Sequence, residues 1–149
     1  MIFKIIKLKD QVCEDLGIEN VPVEFGDIED DSRLVFKPVP KIIINNKFIN
    51  DYTESAKCLT HELRHVFQIF YSRIMQDELA LLWKEELEKG INYKAEYNDY
   101  VFQAIEVDAF AFSQKYLREK LNIVFKYENV GFQNLIDQYT KKYNYVLQC

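Results

Sequence analysis

Several absences bound this chain. Its longest apolar run, Leu79-Ala80-Leu81-Leu82-Trp83, falls far short of the roughly 18–20 residues that a membrane-spanning helix needs. No membrane segment is expected. Lys4, Lys7 and Lys9 interrupt the first ten residues before an apolar signal region can form, so the cytoplasm is the expected compartment. Cysteine is scarce: Cys13, Cys58 and Cys149 are odd in number, widely spaced and without a CxxC pair. That pattern predicts reduced thiols rather than a disulfide framework. Basic residues are outnumbered, 19 Lys and Arg against 24 Asp and Glu, for a formal net charge of −5. An acidic balance argues against a broad nucleic-acid-binding face. Glycine is sparse enough that Gly17, Gly26, Gly90 and Gly131 each read as punctuation between elements.

What is present points to a folded domain. Aromatic residues are plentiful, with 11 Phe, 10 Tyr and 1 Trp among 149 residues, too many for a disordered chain. The length suits one domain spanning residues 1–149. Ile2, Ile5, Ile6, Val12, Cys13 and Leu16 fall near helical spacing ahead of Gly17, although Ile2-Phe3-Lys4-Ile5 also suits the start of a strand. Residues 21–25, 33–36 and 41–45 are short β-prone runs separated by turn chemistry, with Lys47-Phe48-Ile49 as a continuation of the last. Asp51-Tyr52-Thr53-Glu54 resembles a capping box. Helical patterns then cover about 52–75, 77–89, 98–121 and 131–145. A helix, short strands and then several helices make an α+β arrangement.

The chemistry concentrates at His61-Glu62-Leu63-Arg64-His65, which uses both histidines of the chain. Positions four apart lie on one helix face, so both imidazoles can reach the same metal ion. Glu62 lies about 100° round the helix, beside the ligands, where a carboxylate can take a proton from water. An HExxH pattern arises by chance in roughly one chain of this length in several hundred. Two ordinary histidines on an amphipathic helix are the bland alternative.

A catalytic zinc site wants three protein ligands and one open position. With no third histidine, the third ligand is a carboxylate or a thiol. Glu106 and Asp108 are the only acids between Asp99 and Glu119, and apolar residues crowd them. They differ by about 200° on a helix, so both cannot face one metal. Cys58 lies one turn before His61, but a buried cysteine is usually a small apolar residue.

His61-Glu62-Leu63-Arg64-His65 followed by Glu106-Val107-Asp108-Ala109 resembles the gluzincin zinc metallopeptidases, which carry HExxH on one helix and a glutamate ligand on a later one. The small size and element order are similar to the single-domain minigluzincins and related phage- and plasmid-borne peptidases. The resemblance covers about residues 20–121, and its specific part is the two short motifs. It implies a zincin-like fold and a peptidase acting on protein or peptide substrates. It further implies one Zn2+ per chain held by His61, His65 and Glu106, with Glu62 as base and proton shuttle. Two positions depart from related patterns. Phe110 stands where the thermolysin type has an acid, and Ala104 where small members often carry a proline.

Some related enzymes have a tyrosine at the position of Tyr100, which would donate a hydrogen bond to the developing oxyanion. Tyr93 and Tyr97 are weaker candidates for that role, and packing is the rival role for all three. Asp108 suits support of a ligand imidazole, or equally a loop cap or a lysine pair. Lys141 and Lys142, near Tyr139, Tyr143 and Tyr145, read as a solvated helix face. The rival functional reading is a catalytically silent zincin-fold binding or regulatory protein, and a third is a metal-free packing domain. Substrate identity and oligomeric state are not set by the sequence.

Overall fold

The computed structural model describes residues 1–36, 38–89 and 103–147. Helix α1 (Ile2–Leu16) ends at Gly17, whose left-handed φ of 67° lets its N–H reach the carbonyls of Cys13 and Glu14. Its inward face carries Ile5, Leu8, Val12 and Cys13. Ile6, expected on that face, is exposed instead, and Leu8 takes the buried position.

Strands β1 (Val23–Gly26), β2 (Ser32–Val35) and β3 (Lys41–Asn45) form one sheet in the order β1-β3-β2. β3 runs parallel to β1, with Val23 opposite Ile42, and antiparallel to β2, with Ser32 opposite Ile44. Ile42 and Ile44 of the central strand are fully buried, as the period-two rule requires for residues sharing one face. The strand does not continue through Lys47-Phe48-Ile49 as expected. Asn45 accepts from the Lys47 N–H and starts a 3-10 turn over Asn46–Phe48. A side-chain cap thus competes with the sheet ladder and wins.

Helix α2 (Tyr52–Ile74) starts where Asp51 accepts from the Glu54 N–H at 3.1 Å. Only half of the expected capping box forms, because the Glu54 carboxylate pairs with Lys57 and the Asp51 N–H donates to Phe48. Helices α3 (Glu78–Lys89), α4 (Ala104–Leu121), α5 (Val130–Lys142) and α6 (Asn144–Leu147) follow. The expected last helix breaks at Tyr143, which closes α5. The portion of the third helical pattern at 98–102 lies outside the described residues. α2 is the hub: it packs against α1, α3, α4 and the β2 and β3 strands. The main core joins α1, β3, α2, α4 and α5, and a smaller cluster gathers Leu79, Trp83, Ile105 and Val146. Among the described residues, no helix is long and apolar enough to cross a membrane. The α+β expectation holds.

Candidate metal centre

Two helices supply the site. α2 turns His61 and His65 to one side, and α4 brings Glu106 against them from the other. α4 has no side-chain cap of its own. Instead the carboxylate of Glu86 on α3 accepts from the N–H groups of Ala104 at 3.0 Å and Ile105 at 2.8 Å. This cap from a neighbouring helix satisfies two N-terminal donors and places a negative charge at the positive helix end. It sets the start of the helix two residues before Glu106.

His61 Nε2 lies 3.1 Å from Glu106 Oε2, and His65 Nε2 lies 3.0 Å from Glu106 Oε1. The two Nε2 atoms are 3.1 Å apart. All three donor atoms fall within 4.8 Å of one another. Glu106 is fully buried, whereas His61 and His65 keep 9% and 7% of their surface, so what exposure these three residues have lies on the histidine side.

The three groups satisfy one another only in part. Glu106 Oε1, close as it is to His65, makes no aligned hydrogen bond, and His61 Nδ1 has no partner among the described residues. Two imidazole nitrogens and a carboxylate oxygen converging at one point are the donor set of a three-ligand zinc site. The residues therefore form a group able to hold a metal ion.

Charge couples the pair tightly. Burial works against a charged His65, yet Glu106 beside it overrides that and raises the imidazole to about 9. Burial likewise opposes a charged Glu106, but His65 and His61 pull its carboxyl well below the usual range.

Glu62 sits beside the cluster, 8% exposed, and does not belong to it. Ser32, the first residue of β2, donates its hydroxyl to Glu62 Oε1 at 3.0 Å. Cys58 is not among the converging donors. Burial, reinforced by the nearby acids Asp31, Glu62 and Glu54, pushes its thiol up to about 12 against a lowering contact from Ser32. It stays a protonated, buried side chain. Tyr93, Tyr97 and Tyr100 lie outside the described residues. Lys141 and Lys142 are exposed, as a solvated face requires. Phe110 packs its ring against His61 with centroids 4.4 Å apart.

Asp108 lies away from the cluster and takes neither of its expected simpler roles. It meets Arg64, which donates through Nε at 2.7 Å and Nη2 at 3.1 Å. Tyr139 donates to the same carboxylate at 2.7 Å, and Gln68 does so at 2.7 Å. Arg64 is fully buried, covered by the rings of Phe67 and Phe112 at 4.4 and 4.9 Å. Its Nη2 also reaches the carbonyl of Val146 in α6. Asp108 touches a ligand histidine only through Gln68, whose Oε1 accepts from His65 Nδ1 at 2.7 Å.

Sequence reasoning missed Ser32, Arg64, Gln68 and Tyr139. Gln68 was within reach, because it follows His65 by three on the same helix. Ser32 was not, since 30 residues separate it from Glu62. No protein-family model, curated protein or solved structure matches the chain.

Proposed function

We propose that this chain is a zinc-dependent peptidase of the gluzincin kind, built on a zincin-like fold and acting on protein or peptide substrates. The observation that carries this reading is the buried convergence of His61, His65 and Glu106, whose donor atoms all lie within 4.8 Å of one another. These three residues would hold the ion. Zinc bound there would supply Lewis acidity toward a peptide carbonyl and toward water.

The protein's own part falls first to Glu62. Its carboxylate takes a proton from the attacking water as the water oxygen bonds to the carbonyl carbon. It returns that proton to the amine nitrogen as the C–N bond breaks. Ser32 holds one oxygen of Glu62, which fixes the carboxylate while leaving its other oxygen for the proton. β3 is paired on both sides and offers no edge to a substrate strand. Among the described residues β2 is an edge strand, and its first residue touches Glu62. A substrate strand hydrogen-bonded along β2 would run past the proton-transfer group.

Elemental analysis of untagged protein should find zinc near one equivalent. Screening on casein and a peptide library should then reveal a cleaved substrate. Glu62→Gln should keep the zinc and lose at least about 10²-fold in turnover. Protein that takes up no metal, or activity that survives both Glu62→Gln and chelation, overturns the reading. A zinc-loaded chain that cleaves nothing supports the silent binding role in its place.

A further inference from the structure

Gln68 is fully buried one turn beyond His65, and every polar atom of its side chain has a partner. Nε2 donates to the Ile105 carbonyl at 2.8 Å and to Asp108 Oδ2 at 2.7 Å. An amide nitrogen has two N–H donors, and here a backbone carbonyl and a carboxylate use both. Flipping the amide would set its oxygen against those two acceptors. The hydrogen-bond network thus assigns Oε1 to His65. Since Oε1 can only accept, His65 Nδ1 must carry a proton, and the lone pair of the neutral ring lies on Nε2. Nε2 is the atom that stands 3.0 Å from Glu106 and 3.1 Å from His61 Nε2.

The far end of this chain of contacts is rigid. Arg64 grips Asp108 with two hydrogen bonds, Tyr139 adds a third, and Gln68 adds a fourth. Among the described residues His61 has no such support: its Nδ1 finds no partner there and its ring rests on Phe110. We infer that Gln68 is a positioning residue that transmits the fixed geometry of the Arg64–Asp108–Tyr139 network to His65, holding one tautomer with Nε2 directed at the metal. This rests on the metal-centre reading above.

Zinc affinity of the full chain, measured by competition with a chromophoric chelator, provides the first test. Gln68→Met, similar in volume but unable to accept from Nδ1 as an amide does, should bind zinc about 10–100-fold more weakly. Gln114→Met serves as the control. It breaks a comparable buried amide pair with Gln133, between α4 and α5, and should stay within about twofold of wild type. Equal affinity for wild type and Gln68→Met, or an equal loss in Gln114→Met, overturns the inference.

The second test needs no variant. Nitrogen–proton correlation spectra of zinc-loaded wild type should show His65 with a proton on Nδ1 and the metal on Nε2. Metal on Nδ1 overturns the inference even if Gln68→Met fails to fold. Wild type that takes up no more zinc than a His61→Ala/His65→Ala double variant overturns the metal-centre reading itself, and this inference with it.

Discussion

His65 and Glu106 show two physical effects in opposition, and their balance decides how the site responds to pH. Burial favours the neutral form of each, but the partner's charge wins, so the metal-free pair is an imidazolium against a carboxylate. The His65 contribution to stability is complete below its ordinary value of 6.5 and is lost as pH rises through about 9. The Glu106 contribution is present above the ordinary value of 4.5 and is lost as pH falls through its depressed value. Metal must displace the His65 proton. Zinc uptake near pH 7.5 should therefore release about one proton per ion, and affinity should climb about tenfold per pH unit until about 9. Calorimetry in buffers of different ionisation enthalpy counts that proton. No net release would mean that His65 is neutral in the metal-free protein. Asp108 carries a different burden. Asp108→Ala would leave Arg64 buried without its carboxylate, at a cost of about 3–5 kcal/mol. Urea denaturation should register this loss, whereas Glu106→Ala should strip zinc from a chain that still folds.

The helices meet at the site because their ends are fixed by different means. α2 has a local cap, Asp51, so its start was readable from four consecutive residues. α4 borrows its cap from α3, through Glu86. Glu86→Ala should cost about 1–2 kcal/mol, as loss of an N-cap does. It should also weaken zinc binding, since Glu106 lies in the first turn of the helix being held. Glu86→Gln, which keeps one acceptor oxygen, should fall between Glu86→Ala and wild type. Thermal denaturation with and without zinc would rank the three proteins. Equal melting of all three would show that packing against α2 alone holds the start of α4. The sheet contributes through its order: with β3 in the middle, only β1 and β2 have outer edges, and β2 is the one that reaches Glu62.

A metal bridging α2 and α4 would tie together two segments separated by 45 residues between His61 and Glu106. An unfolded chain offers no such preformed site, so binding stabilises the folded state by mass action. At free zinc about 100-fold above the dissociation constant, the folded chain should gain about 2.7 kcal/mol, and a chelator should remove it. Denaturation at several zinc concentrations measures this directly. A midpoint independent of zinc would show that the ion either does not bind or binds both states alike. Circular dichroism should remain helix-dominated in either condition, because six helices outweigh one three-stranded sheet among the described residues.

What depends on near neighbours was legible in the chain. Helical spacing put His61 and His65 on one face, Asp51 marked the start of their helix, and the β-prone runs before it became the sheet. Each follows from backbone periodicity or a cap within a few residues. The resemblance to gluzincins implied Glu106 as the third ligand, whereas the residues alone left Glu106 and Asp108 both open. Only the fold separated the two acids, by fixing how α4 is rotated against α2: Glu106 meets the imidazoles, and Asp108 meets Arg64. The same packing decided that Ser32 touches Glu62, that Gln68 joins His65 to Asp108, and that α4 is capped by Glu86. Contacts of this kind join residues far apart in the chain. Their geometry is set by how faces of different elements settle against one another, and no local pattern encodes that.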